Sequence, residues 1–239
     1  MMRQGNLAVA LAFGLISVSA LAGGFTTGFE VTEKPAVISG DELHLTGGEP
    51  YRWNWSGDDI GTISARPAAV RSGSQGLDAT RRTTGHAQAW WTRPGAFPPA
   101  SSGRVSISLS VRAVDWQDHP DSVIEIAASD TGVDDLGANP TRSAWVSLKG
   151  NGRLYAWSGN AEMELAADIP VGEWQALRIE IDVPAGAYRV LLNGREVARD
   201  LAFFNAAVHA VRSIQFKEYN SGKSVGGVYL DDITARVEP

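Results

Sequence analysis

His86, Gln88, Lys217 and Tyr219 are residue types that serve an elimination on an acidic sugar. In that reaction a Tyr or His base removes the proton alpha to a uronate carboxylate. A Gln, Asn or Arg neutralises the charge that develops. Strand alternation groups these residues. His86, Gln88 and Trp90 share a face in the run from His86 to Trp91. Ile214 and Phe216 read as core, which leaves Gln215, Lys217 and Tyr219 on the open face of their strand. Glu125 alternates with Ile124 and Ile126, and Tyr155 and Trp157 share the face opposite Leu154. Trp53, Trp55, Trp90, Glu125, Tyr155, Trp157 and Gln215 together could line a sugar groove. Indole and phenol faces stack on the C–H faces of sugar rings, while amides and charges bind hydroxyl or uronate groups. The plainer alternative is that they are ordinary exposed residues of amphipathic strands.

Other chemistries are excluded. The chain has no Cys, so it holds no disulfide framework, thiol nucleophile or Cys-ligated zinc. It has no Gly-x-Ser-x-Gly elbow and no His-Glu-x-x-His, and its four His are scattered. A net charge of −6 argues against nucleic-acid binding, which needs a basic surface. A hydrophobic fraction of 44% is too high for a disordered chain.

The elements that must position these residues are strands. Residues 1–22 read first as a secretory signal peptide: Arg3, the apolar run Leu7 to Ala22, and an Ala20-Leu21-Ala22 end. That run falls short of the ~20 residues of a membrane span. The expected mature chain is one domain, residues 23–239, secreted to the cell exterior or the periplasm. Val105, Ile107, Leu109 and Val111 alternate with polar residues, as do Leu177, Ile179, Ile181 and Val183. Asn193-Gly194 supplies a tight hairpin between Tyr188–Leu192 and Arg195–Arg199. Further strands are expected at 25–31, 42–46, 61–66, 86–91, 122–128, 144–149, 153–157, 211–219 and 227–237. About twelve strands with Gly, Pro, Asn and Asp turns predict an all-β, two-sheet antiparallel β-sandwich. Leu201 to Ala210 is the one segment that reads as a short helix. Trp174 reads as core, Trp53 and Trp55 as an exposed pair, and Trp90-Trp91 as split between two faces.

Trp174 to Asp182, followed by Tyr188-Arg-Val-Leu-Leu-Asn-Gly-Arg-Glu-Val, resembles the meander of concanavalin A-like or laminin G-like jelly rolls. Trp145 to Tyr155, Gly28-Phe29-Glu30 and Val228 to Thr234 are similar to other strands of such domains. The resemblance spans residues 25–239 and implies a jelly roll. It does not by itself choose among lectins, glycosidases, lyases and adhesion modules. A glycosidase of the laminarinase type needs Glu-x-Asp-x-x-Glu. Here Glu180-Ile-Asp182 is followed by Pro184 and Ala185, so the acid/base is missing and a solvent-facing strand is the better reading. Gln215 to Asn220 is distantly similar to the Tyr-Phe-Lys-x-Gly-x-Tyr strand of jelly-roll alginate lyases. In carbohydrate-binding jelly rolls a structural calcium ties the first strand to the last, which implies Glu30, Asp231 and Asp232 as ligands. Asp130 to Asp135 is a second acidic cluster, which also suits a plain turn. The sequence therefore predicts a lectin-like or adhesion protein with a polysaccharide partner. A polysaccharide lyase or, less well, a glycoside hydrolase on the same fold is the alternative.

Overall fold

Period-two patterning sets the architecture. The computed structural model describes residues 24–27, 42–44, 50–56, 62–64, 67–73, 76–80, 88–92, 100–115, 122–130, 141–217 and 227–238. The expected leader, residues 1–22, lies outside them. In chain order the strands are β1 (Gly24–Thr27), β2 (Glu42–His44), β3 (Pro50–Ser56), β4 (Thr62–Ser64), β5 (Gly76–Thr80), β6 (Gln88–Thr92), β7 (Arg104–Asp115), β8 (Ser122–Ser129), β9 (Arg142–Lys149), β10 (Leu154–Ser158), β11 (Ala161–Ala166), β12 (Trp174–Asp182), β13 (Ala187–Leu192), β14 (Arg195–Ala202), β15 (Ser213–Lys217) and β16 (Gly227–Glu238).

These sixteen strands among the described residues exceed the expected dozen, mainly because β3, β5 and β11, whose alternation is short, were not expected. They form an eight-stranded sheet, β14-β13-β12-β7-β16-β5-β4 with β1 also on β16, and a five-stranded sheet, β11-β10-β9-β8-β15. A small third sheet, β2-β3-β6, lies with β6 beside β15. Every sheet pairing is antiparallel, so the chain is the expected all-β sandwich.

The core fills the space between the two large sheets. Ile107, Ile179, Ile181, Val190 and Leu230 from one meet Ile124, Ile126, Val146, Leu154 and Ile214 from the other, all buried. The hairpin between β13 and β14 forms as expected. Asn193 and Gly194 take φ of 52° and 77°, the left-handed pair that a two-residue turn with strand-matching twist needs.

Two expectations fail for clear reasons. No helix forms in Leu201–Ala210. Leu201 and Ala202 complete β14, and the next amides are spent on other strands: Phe203 N donates to Gly186 O, Phe204 N to Ser143 O and Asn205 N to Arg142 O. Trp174 is not core. It stands half-buried, in phase with the outward-facing Arg178 and Glu180, while Gln175 takes the inward position. The Glu180–Asp182 strand is indeed outward-facing. Glu180 is held between Arg178 at 2.9 Å and Arg189 at 2.5 Å, and Asp182 pairs with Arg104 at 3.6 Å.

β16 contains the one irregularity on which the larger sheet turns. Val228 and Leu230 point inward, and so do Ile233 and Ala235, which requires a change of phase. A register shift between Asp231 and Thr234 supplies it, with Asp232 at φ 51°. Asp231 is fully buried there. Its carboxylate accepts from Arg71 N at 2.8 Å, Ser72 N at 3.1 Å and Asp232 N at 2.7 Å. Gly76 closes the same corner: a Cβ on it would sit 1.9 Å from Ala69 O.

Two outcomes follow from this corner. Gly76→Ala should lower unfolding free energy by at least the ~1–3 kcal/mol of an overpacked site, since the obstacle is backbone; denaturant melts check it. Burial raises the Asp231 carboxyl above its usual range, and the amides of Ser72, Arg71 and Asp232 oppose it. The folded form therefore holds that proton more tightly than the unfolded chain. The group's contribution to stability is complete below the unfolded carboxylate range and is lost as pH rises through the raised pKa. Asp231→Asn cannot titrate. Its stability relative to the parent should change with pH across that window and level off above it; a difference flat in pH throughout would contradict the shift.

Candidate functional site

The face of the five-stranded sheet turned away from the core is polar and aromatic. Ala144, Val146 and Leu148 of β9 and Leu154 and Ala156 of β10 point into the sandwich. Alternation sends Trp145, Ser147, Lys149, Tyr155 and Trp157 the other way. Register aligns these residues in rows across the strands. One row runs Lys217, Glu125, Ser147, Tyr155, Glu164. The next runs Gln215, Ala127, Trp145, and on β10 and β11 Trp157 and Glu162.

The middle of this face is dry. Arg142 is 1% exposed and Glu125 8%, and Arg142 Nη1 lies 3.7 Å from Glu125 Oε2. Arg142 opens β9 opposite Ser129, so its side chain reaches back along the small Ala127 to meet Glu125. Burial pulls the guanidinium below its ordinary pKa, and Glu125 partly restores it. Ser129 Oγ, Ser147 Oγ, Trp145 Nε1 and Arg142 Nε are buried and make no hydrogen bond among the described residues. Native proteins leave few such groups, and their clustering on one face marks a site for a polar ligand or ordered water.

An aromatic stack borders these donors. The Arg142 guanidinium sits 3.9 Å from the centre of the Trp145 ring. Trp145 and Trp157 stack with centroids 4.9 Å apart and planes 18° from parallel. Phe204 meets both edge-on, at 5.1 and 5.5 Å. Towards β11 the face opens. Lys149 Nζ lies 4.2 Å over the Tyr155 ring and 2.6 Å from Glu162. The Tyr155 hydroxyl accepts from Asn151 Nδ2 at 3.3 Å and donates to Glu164 at 3.4 Å. The face is thus exposed at the β10–β11 edge and desolvated towards β8.

Of the expected site residues, Glu125, Tyr155 and Trp157 share this face, with Gln215 and Lys217 at its register positions on β15. Glu125 is not the open groove residue expected, because Arg142 buries it. Gln88 and Trp90 lie on β6, the neighbour of β15. Trp53 and Trp55 lie on β3, where Trp53 pairs with Trp91 and Asn54 with Trp90. The side chains of Gln88, Trp90, Trp53, Trp55, Gln215 and Lys217 lie outside the described residues, as do His86, Tyr219 and Glu30 entirely. Arg142, Trp145, Ser129 and Ser147 were missed. The alternation of Trp145, Ser147 and Lys149 with Ala144, Val146 and Leu148 was the available signal.

Of the expected calcium ligands, Asp231 and Asp232 are engaged within the protein and Glu30 lies outside the described residues. Both Asp231 oxygens accept from amides, and Asp232 accepts from Ser72 Oγ and lies 3.8 Å from Arg71 Nε. No cluster of three or more His, Asp or Glu suited to a metal occurs among the described residues. Asp130, from the second acidic cluster, is paired with Arg212 at 2.6 Å; Asp134 and Asp135 lie outside the described residues.

No protein-family model matches the chain. No curated protein matches it either. Solved structures do. One is a conserved carbohydrate esterase from the Shiga toxin-encoding bacteriophage phi24B, at 10% identity over 78% of this chain and 90% of that one, with a TM-score of 0.56. Another is the endo-β-1,4-glucuronan lyase of the fungus Trichoderma reesei, at 16% identity over 82% and 94%, TM-score 0.53. A third is the Trypanosoma rangeli sialidase, at 12% identity over 81% of this chain but 30% of that one, TM-score 0.51. The chain thus spans nearly all of the first two and under a third of the sialidase. At these identities the likeness establishes the β-sandwich fold that the chain shares with them.

Proposed function

We propose that the chain is a secreted concanavalin A-like jelly roll that binds a polysaccharide on the outer face of its five-stranded sheet. The observation that carries this reading is the juxtaposition of a stacked Trp145–Trp157 pair with buried donors that lack partners, on Arg142, Trp145, Ser129 and Ser147. A sugar matches both halves: an apolar C–H face against Trp157, the less buried indole, with Trp145 backed by Arg142 behind it, and oxygen acceptors for the donors. The carbohydrate esterase, glucuronan lyase and sialidase among the structural neighbours agree with a glycan ligand.

A second reading, polysaccharide lyase, is favoured by the register that sets Lys217 across from Glu125, beside Arg142. The lyase reaction removes the proton alpha to the carboxylate. The new double bond forms as the glycosidic C–O bond breaks, and its electron pair leaves on oxygen. In this reading Arg142 would stabilise the charged intermediate, and His86 or Tyr219 would act as base.

Affinity electrophoresis through gels containing polygalacturonate, alginate, glucuronan or a neutral β-glucan tests the binding reading. Retardation by at least one polymer is expected. Trp157→Ala should weaken it about tenfold, the equivalent of ~1.4 kcal/mol. Retardation by none overturns the reading. Absorbance of unsaturated uronides, followed on the same polymers, tests the second. New absorbance that disappears in His86→Ala or Tyr219→Phe establishes the lyase; none on any polyuronate removes it.

The buried pair generates its own outcome. Arg142→Met alone leaves Glu125 charged and buried, and should cost ~3–5 kcal/mol in urea unfolding. Adding Glu125→Leu should recover most of that loss. A double variant as unstable as the single one would contradict a pairing role for Arg142.

A further inference from the structure

The ladder between β9 and β10 stops one step short of the aromatic pair. Val146 pairs with Ala156, and Trp145 and Trp157, the next residues out, have left the ladder. Beyond them other partners take over. Phe204 N donates to Ser143 O at 2.8 Å, Asn205 N to Arg142 O at 3.1 Å, and Gly159 N to Ala202 O at 3.2 Å. The sheet therefore forks at the two tryptophans, with β10 turning towards β14 and the chain after β14 filling the gap beside β9.

A fork in a dry interior leaves carbonyls that need donors. The opposite sheet supplies one. Tyr188 of β13 is 2% exposed and packs in the core. Its hydroxyl donates to Trp157 O and lies 3.1 Å from Trp145 O. Burial pushes its pKa well up, so it keeps its proton as a donor throughout the working range. A single hydroxyl thus bridges the two arms of the fork directly beneath the stacked indoles.

We propose that Tyr188 is a positioning residue for the Trp145–Trp157 platform. One hydroxyl proton, shared between the two carbonyls, fixes the width of the fork at which the indoles stack. Tyr188 touches no ligand and acts through the two tryptophans. The functional part of this inference rests on the glycan platform proposed above. The structural part does not.

Circular dichroism separates the two parts, because two stacked indoles couple their transitions and give an exciton couplet in the far ultraviolet. Trp157→Phe defines that signal by abolishing it. Tyr188→Phe keeps the ring and removes the hydroxyl; it should lose most of the couplet and weaken retardation by the bound polysaccharide about tenfold. Ile233→Val lowers the melting temperature at a site remote from the fork and should keep the couplet, which a merely structural role for Tyr188 would not distinguish. An unchanged couplet in Tyr188→Phe overturns the proposal. Should Tyr188→Phe fail to fold, Phe204→Ala decides. With the Tyr188 bridge intact the couplet persists, whereas its loss assigns the positioning to Phe204 and overturns the proposal. Failure of the wild-type protein to bind any polymer overturns the glycan platform alone and leaves the couplet to judge Tyr188.

Discussion

The buried Asp231 carboxylate is the interaction on which the larger sheet depends. A strand alternates with a period of two, so a twelve-residue strand cannot keep apolar residues of both phases on one face. β16 borders β7 over nearly its whole length, β5 over its first part and β1 over its second. Only the bulge at Asp231–Asp232 lets Leu230 and Ile233 both reach the core. Asp suits the place, because it tolerates the left-handed backbone there and its oxygens collect the amides that the bulge and the 71–72 turn leave over. The two acidic residues expected to ligate a cation thus have structural work at the bulge.

The same alternation has the opposite consequence in the five-stranded sheet. There the phase is kept along the middle of β8, β9 and β10, and the register shift between Ala127 and Ser129 sets Arg142 on the outer face, the same side as Trp145 and Ser147. That face is nevertheless largely buried at Glu125, Ala127, Ser129, Arg142 and Ser147. Stability does not explain it. A buried ion pair 3.7 Å long, without a fork of hydrogen bonds, gains little over an apolar pair of the same volume, and each unpartnered donor adds a desolvation cost. Native proteins keep such arrangements where a ligand completes them.

The long strands were legible because core and periodicity agree in them. Arg104 to Val111, Leu177 to Val183 and the Asn193-Gly194 hairpin all stand where alternation and turn chemistry put them. β3 and β11 alternate too, Tyr51, Trp53 and Trp55 against Arg52, Asn54 and Ser56, and Met163 and Leu165 against Glu162 and Glu164, but over runs too short to stand out from their surroundings. Trp174 was misjudged because it opens a strand of the jelly-roll meander that the chain resembles, whereas its place in the alternation pairs it with Arg178 and Glu180. The 201–210 segment was misread because its amides are satisfied by Gly186, Ser143 and Arg142, partners that no local pattern announces. At the site, Tyr155 and Trp157 were found by phase alone. Arg142 escaped because its role depends on reaching across Ala127 to a carboxylate on another strand, and Tyr188 because its hydroxyl acts on the opposite sheet.

Placing the aromatic pair on strands rather than on loops has an energetic logic. Ligand binding costs the ordering of every side chain that must be immobilised, and this cost is reduced when packing has already fixed the rotamers. Trp145 has a guanidinium and a second indole against its ring, and Phe204 meets both indoles edge-on, so little freedom remains to lose. The backbone beneath them is secured from the other sheet by Tyr188. A face of this kind, if it binds the proposed polysaccharide, would read ring shape and oxygen position before any question of catalysis arises. Binding and cleavage would then differ by the placement of a single base. One scaffold can therefore host unrelated chemistries, because a fold fixes where strands and faces lie and leaves the reaction to the side chains set on them.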